Sequence, residues 1–214
     1  MALSQGFYDR AYTVFWKIYR GLFKALFRWQ ITGLEHVPRK GGAILAVNHS
    51  SLLDPPLGGV GLPRKIWFLG RSSLIKNRFV GFIMKCQHMI PITRGEADLG
   101  AMKRIIALIK SGEIVLMFPE GTRSADGSLG PGKEGIGVFV THAKADVIPC
   151  YISGAGRAMP KGAVLPRPRK ILIAYGPLIR HEEFKDCPKG RAGFRMISEK
   201  IMGRIAELKK QLEG

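Results

Sequence analysis

His49 and Asp54 stand five residues apart in the run Asn48-His49-Ser50-Ser51-Leu52-Leu53-Asp54. A turn between them can bring the carboxylate to Nδ1 of the imidazole, which orients the ring and leaves Nε2 as a base. An imidazole suits that work at neutral pH. The same residues have a plainer use, with Asp54 capping a following helix and His49 ending a strand. Taken alone, the plainer use is the commoner one. The Pro55-Pro56 pair is expected to disfavour helical geometry at Asp54. A second group, Phe118-Pro119-Glu120-Gly121-Thr122-Arg123-Ser124, has the chemistry of a phosphate site. Gly121 permits close backbone approach, Thr122 and Ser124 bring hydroxyls, and Arg123 brings a planar fork. Glu120 can hold an arginine or a substrate hydroxyl. The alternative is a polar turn with a surface arginine. Ile90-Pro91-Ile92-Thr93-Arg94 ends a strand with another arginine, and Val147-Ile148-Pro149-Cys150-Tyr151 reads as core.

Such groups need strands that end near one another, and the chain supplies them. Apolar runs alternate with helical patterns, which argues for an α/β domain. Strands are expected at 32–37, 43–48, 65–69, 89–93, 113–118, 147–152 and 170–175. Helices are expected at 72–85, with a break near Asn77, and at 97–110 and 136–143. Phe194, Ile197, Ile201, Ile205, Leu208 and Leu212 step by three or four, the mark of an amphipathic C-terminal helix. Residues 122–135 and 154–169 read as loops. The expected fold is one α/β domain over 31–214 with a mixed, mostly parallel central sheet flanked by helices. His49 then follows a strand directly, where ligand sites of open α/β sheets collect.

The 214 residues carry a net charge of +18, which points to polyanionic partners: nucleic acid, an anionic membrane or a phosphorylated substrate. At 46% hydrophobic and 23% charged the chain is globular, not disordered. Three widely spaced cysteines without a CxxC argue against a disulfide framework or a zinc site. His36, His88, His142 and His181 lack metal spacing and read as structural or surface residues. No zinc, helix-turn-helix or RNP-like signature supports a nucleic-acid-binding domain, the rival reading of the charge. Between Asp54 and Glu96 lie seven basic residues and no acid, a block that can line an anionic substrate's site.

Residues 1–30 form a separate element. From Gly6 to Gln30 the longest uncharged run, Ala11 to Trp16, falls far short of the roughly 20 residues of a membrane span, and no secretory cleavage site follows. On a helical wheel Arg10, Lys17, Arg20, Lys24 and Arg28 fall within a stripe of roughly 80°. Tyr8, Phe15, Tyr19, Leu22, Leu26 and Trp29 lie opposite. This pattern suits a helix lying in a membrane interface, and Gly21 is a candidate break. The alternative is a helix packed on the protein's own core.

In combination, NHSSLLD, IPITR, FPEGTRS and VIPCY resemble the four motif blocks of the glycerolipid acyltransferases marked by HxxxxD, in the same order and at familiar spacings. Over about residues 30–180 the chain resembles the lysophosphatidic acid acyltransferase family of bacterial type. The resemblance implies transfer of a fatty acyl group from acyl-CoA or acyl carrier protein, as co-substrate without other cofactor or metal, to the sn-2 hydroxyl of 1-acylglycerol 3-phosphate. It makes His49 the general base and Asp54 its orienting partner. It assigns Arg94, Glu120, Gly121, Thr122 and Arg123 to the glycerol-phosphate, with Arg71 standing where relatives often have lysine. Related acceptors, glycerol phosphate or another lysolipid, fit the same motifs. The expected location is the cytoplasmic face of a bacterial inner membrane, held by an N-terminal interfacial helix, with lysophosphatidic acid and anionic lipid as partners and no nucleic acid. The chain departs from its relatives at Gly130-Pro131-Gly132-Lys133-Glu134-Gly135, where they often carry Lys-Lys-Gly.

Overall fold

The computed structural model describes residues 4–93 and 98–214. Seven strands form one sheet: β1 (Gln30–Thr32), β2 (Ala43–Val47), β3 (Ile66–Arg71), β4 (Met89–Ile92), β5 (Ile114–Met117), β6 (Asp146–Ser153) and β7 (Leu172–Tyr175). Helices α1 (Gln5–Phe27), α2 (Asp54–Val60), α3 (Arg78–Cys86), α4 (Leu99–Lys110), α5 (Glu134–Ala143), α6 (Ala155–Ala158) and α7 (Arg191–Glu213) surround it. The strand order is β1-β7-β6-β2-β5-β3-β4. Strands β6, β2, β5, β3 and β4 run parallel, whereas β7 is antiparallel to β6 and carries β1 parallel to itself. The sheet is therefore mixed and mostly parallel, in one α/β domain.

All five residues of β2 are buried, as a parallel strand covered on both faces requires. Ile44 and Ala46 join a core with Ile105, Val140, Ile201 and Ile205 of α4, α5 and α7. Ala43, Leu45 and Val47 point the other way, against Phe23 and Phe27 of α1 and Leu57 of α2. The alternation is the two-residue period of a strand, and it closes a helix layer over each face.

Three local expectations need correcting. The first strand lies at Gln30–Thr32 instead of 32–37. Gly33 then adopts φ 76°, and a Cβ there would collide with the Tyr175 carbonyl. His36 Nδ1 donates to that carbonyl at 3.0 Å, within a short 3-10 turn. The Pro55-Pro56 pair begins α2 instead of preventing it: a helix's first turn needs no N–H from proline and accepts its fixed φ. Helix α1 runs unbroken through Gly21. At Asn77 the expected break is present. A 3-10 turn (Ser72–Ile75) ends before it, and Asn77 caps α3 by accepting from the N–H groups of Phe79 and Val80.

The aromatic side of α1 faces the protein. Tyr19, Leu26 and Trp29 pack on the core beside Phe23 and Phe27. Tyr12 Oη accepts from Ile66 N–H at 3.1 Å, and Trp16 Nε1 donates to Gly59 O at 3.3 Å. What remains exposed is a narrower apolar strip of Phe7, Val14, Ile18 and Leu22, next to the basic stripe.

Candidate active site

The parallel run β2-β5-β3-β4 brings four strand ends to one edge of the sheet. His49 follows β2, Phe118 to Ser124 follow β5, Arg71 closes β3 and Thr93 follows β4. Arg71 pairs in register with Ile92, and Ser72 Oγ lies 3.4 Å from Thr93 Oγ1. Arg94 lies outside the described residues. His49, Asp54, Arg71, Glu120, Gly121, Thr122 and Arg123 belong to segments that the topology gathers at this edge.

His49 Nδ1 donates to Asp54 Oδ2 at 2.9 Å. The same oxygen accepts from the N–H groups of Ser50 and Ser51, each at 2.7 Å. Asp54 is the first residue of α2 and is fully buried. Its carboxylate turns back on the segment before the helix and leaves the helix's own N–H groups alone. Of the two uses weighed for Asp54, the structure shows the contact with the histidine; Asp54 begins the helix without capping it. The His49 side chain is 12% exposed, and Nε2 meets no partner among the described residues. The ring lies against Phe118, centroids 3.7 Å apart and planes 11° from parallel. One ring nitrogen is therefore fixed, one face is packed, and the other nitrogen is open.

Glu120 is 5% exposed. Its Oε1 accepts from His49 N–H at 2.9 Å and its Oε2 from Gly130 N–H at 3.0 Å. Burial pushes its carboxyl up, and these two N–H groups partly offset that. The chain is locked further by Ser124 N–H donating to His49 O at 2.7 Å. The β5 turn and the His49 segment thus form one hydrogen-bonded unit. Gly121 sits at φ 66°, where a Cβ would come within 3.1 Å of Lys133 Cδ and 3.5 Å of Lys133 Nζ. Thr122 is exposed and Arg123 half-buried, so hydroxyl and guanidinium stand near a backbone that a ligand can approach.

Sequence reasoning passed over three contributors. Phe118 packs against the His49 ring. Lys133 adds a cation beside Gly121. Asn48 clamps β6, donating to Ile152 O at 3.0 Å and accepting from Ile152 N–H at 2.7 Å. The signals were present as an aromatic residue at a strand end, a lone lysine among glycines and an asparagine directly before the histidine. Each becomes legible only when strands distant in sequence are neighbours. Cys150 is fully buried in β6, and burial first, with the Asp54 charge second, pushes its thiol up.

The family described as Acyltransferase matches residues 28–153. The chain is 29% identical over 180 residues to the 1-acyl-sn-glycerol-3-phosphate acyltransferase of Bacillus subtilis (strain 168), covering 84% of this chain and 87% of that one. It is 33% identical over 141 residues to the chloroplastic 1-acyl-sn-glycerol-3-phosphate acyltransferase BAT2 of Brassica napus, covering 64% of this chain and 40% of the plant protein. In fold it is similar to the crystal structure of the 1-acyl-sn-glycerophosphate (LPA) acyltransferase PlsC from Thermotoga maritima. That likeness has a TM-score of 0.78 at 24% identity, over 98% of this chain and 84% of that one.

Proposed function

The chain belongs to the acyltransferase family, and on that premise we propose that it acylates the sn-2 hydroxyl of 1-acylglycerol 3-phosphate, giving phosphatidic acid in phospholipid biosynthesis. The donor is an acyl thioester, acyl-CoA or acyl carrier protein. The hydroxyl is a weak nucleophile and needs a base. His49 Nε2 takes its proton as the oxygen attacks the thioester carbon. Asp54, still anionic, steadies the imidazolium through Nδ1. The tetrahedral intermediate then collapses, the C–S bond breaks, and the thiolate leaves. A thiol pKa of about 8.5 makes this an easy departure, and the proton on Nε2 neutralises the sulfur. No acyl-enzyme forms, so no nucleophilic serine or cysteine is required.

In this reading Arg123 and Arg94, with Arg71 and Lys133 nearby, receive the acceptor phosphate. Gly121 and Thr122 let it approach the β5 turn. Glu120 is a positioning residue, because both its oxygens hold backbone N–H groups. The names of the relatives support lysophosphatidic acid over other acceptors. Among the described residues no helix is long and apolar enough to cross a membrane. We place the enzyme at the cytoplasmic face of the membrane, held by the exposed strip and basic stripe of α1.

The observation that carries the mechanism is the oriented His49–Asp54 pair with Nε2 left open. His49→Ala is expected to cut acyl transfer by at least about 10²–10⁴-fold with the fold retained. The check is turnover of defined thioesters and acceptors, read by lipid mass spectrometry beside thermal unfolding. Near-normal turnover by the folded variant would remove His49 from the chemistry.

A further inference from the structure

Between α6 and β7 the chain makes an excursion, residues 159–170, that acyl transfer itself does not use. The loop is tied at its neck, where Arg167 N–H donates to Ala158 O at 2.7 Å, and it turns inside that neck through Ala163 N–H to Pro160 O at 3.0 Å. At its outer end Val164 and Leu165 are 87% and 76% exposed, the most exposed large apolar side chains among the described residues. One exposed apolar residue is ordinary, but two neighbours held out together on a closed loop mark a contact surface.

The surroundings carry one sign of charge. No Asp or Glu occurs from Val147 to His181, and Lys161, Arg167, Arg169 and Lys170 flank the tip, all exposed. An apolar tip in a cationic skirt fits an anionic bilayer, where the side chains enter the acyl boundary and the cations meet lipid phosphates. Nucleic acid would use the cations but has no use for the Val-Leu tip. The place of the loop also matters. Ser51 Oγ donates to Met159 O at 2.9 Å, two residues from His49. At the other end Ile171 N–H donates to Phe27 O at 3.1 Å. The loop thus spans from the catalytic segment to the end of α1.

We infer that residues 159–170 form a second membrane contact, which inserts Val164 and Leu165 into an anionic bilayer and seats the active-site edge against it. This rests on the reading that the enzyme draws its acceptor from a bilayer. The test uses the full chain as Leu165→Cys in a Cys187→Ser background, labelled with a nitrobenzoxadiazole fluorophore. Cys86 and Cys150 are fully buried, which shields them from native labelling. Vesicles of phosphatidylglycerol with phosphatidylcholine should raise and blue-shift the emission, and a nitroxide lipid should quench it. Phosphatidylcholine alone should do much less, since each cation near an anionic surface contributes about a fivefold factor in partitioning.

Unlabelled Val164→Ser with Leu165→Ser should lower vesicle partitioning by about tenfold. Turnover of vesicle-embedded acceptor should fall with it, while a micellar short-chain acceptor is turned over as before. Emission that stays aqueous while the protein sediments with vesicles overturns the loop contact and leaves α1 as the anchor. Val14→Asp with Ile18→Asp scores α1 separately. If that variant sediments as the wild type does at both low and high salt and a label on its loop still responds, the α1 reading fails and the loop contact stands. A full chain that sediments with no anionic vesicle overturns both.

Discussion

Three donors converge on Asp54 Oδ2: His49 Nδ1 at 2.9 Å and the N–H groups of Ser50 and Ser51 at 2.7 Å. An amide can satisfy them only by placing its oxygen there, which puts its NH2 at the Oδ1 position. That position is buried and has no partner among the described residues, so Asp54→Asn leaves donors unsatisfied and removes the charge that, in the proposed mechanism, steadies the imidazolium. Turnover should fall by about 10²–10⁴-fold with the acceptor KM little changed, which steady-state kinetics on the folded variant will check. Arg123→Ala should behave differently. Losing one charged hydrogen-bonding partner costs about 1.5–3 kcal/mol, felt in kcat/KM with a phosphate-bearing acceptor and not with a neutral monoacylglycerol. Arg94→Ala is expected to show the same contrast. Equal losses for both acceptors would make these arginines structural. The His49–Asp54 contact was open to sequence reasoning because its two members lie five residues apart, but only the four motif blocks together favoured it over the plainer use. Phe118 and Glu120 were not legible as its supports, since they reach His49 only because β2 and β5 are neighbours.

Helix α1 shows where sequence periodicity stops being informative. A helical wheel finds an apolar side but cannot say whether it meets protein or lipid. Here the wide aromatic side packs inward, and the thinner strip of Phe7, Val14, Ile18 and Leu22 is what remains outside. The docking contact that decides this is tertiary. His88, held at φ 59°, lies between Tyr12 of α1 and Trp67 of β3, with ring centroids 4.8 and 4.4 Å away. Its Nε2 lies 3.1 Å from Asp9 Oδ1, close enough for an ion pair but without the alignment of a hydrogen bond. Burial pushes the imidazole down to about 4, outweighing the upward pull of Asp9, and Lys65 adds to the depression. The folded state therefore prefers neutral His88. That preference contributes full stability above the unfolded value near 6.5 and is lost as pH falls from there toward 4. The loss amounts to about 3 kcal/mol at most. Denaturant unfolding between pH 7.5 and 5 should show stability falling with pH, and His88→Phe, which keeps an aromatic ring without a titrating group, should flatten the slope. An unchanged slope would show that other groups govern the acid side.

At the scale of the whole molecule, the charge of +18 is carried by a sheet with a helix layer over each face. The sheet brings the reactive groups to one edge, and the end of α1 is tied by Phe27 O to the loop that leads back to Ser51. A basic protein is drawn to an anionic bilayer at long range, but charge alone leaves it free to tumble there. In the proposed membrane-bound state, the exposed strip of α1 would add an affinity that salt does not screen and that fixes orientation. Deleting α1 would be an ambiguous test, because Phe23 and Phe27 are 4% and 0% exposed and their removal opens the core. Val14 and Ile18 are 57% and 55% exposed, so Val14→Asp with Ile18→Asp leaves the core intact while placing two anions against lipid. Wild-type protein should sediment with phosphatidylglycerol vesicles at low salt and in part at high salt, since the coulombic share falls away as the Debye length shrinks to about 3 Å at 1 M. The variant should lose the salt-resistant fraction first, and its turnover of vesicle-embedded acceptor should fall more than that of a micellar one. Identical sedimentation of the two proteins at both salt concentrations would assign α1 to core packing alone.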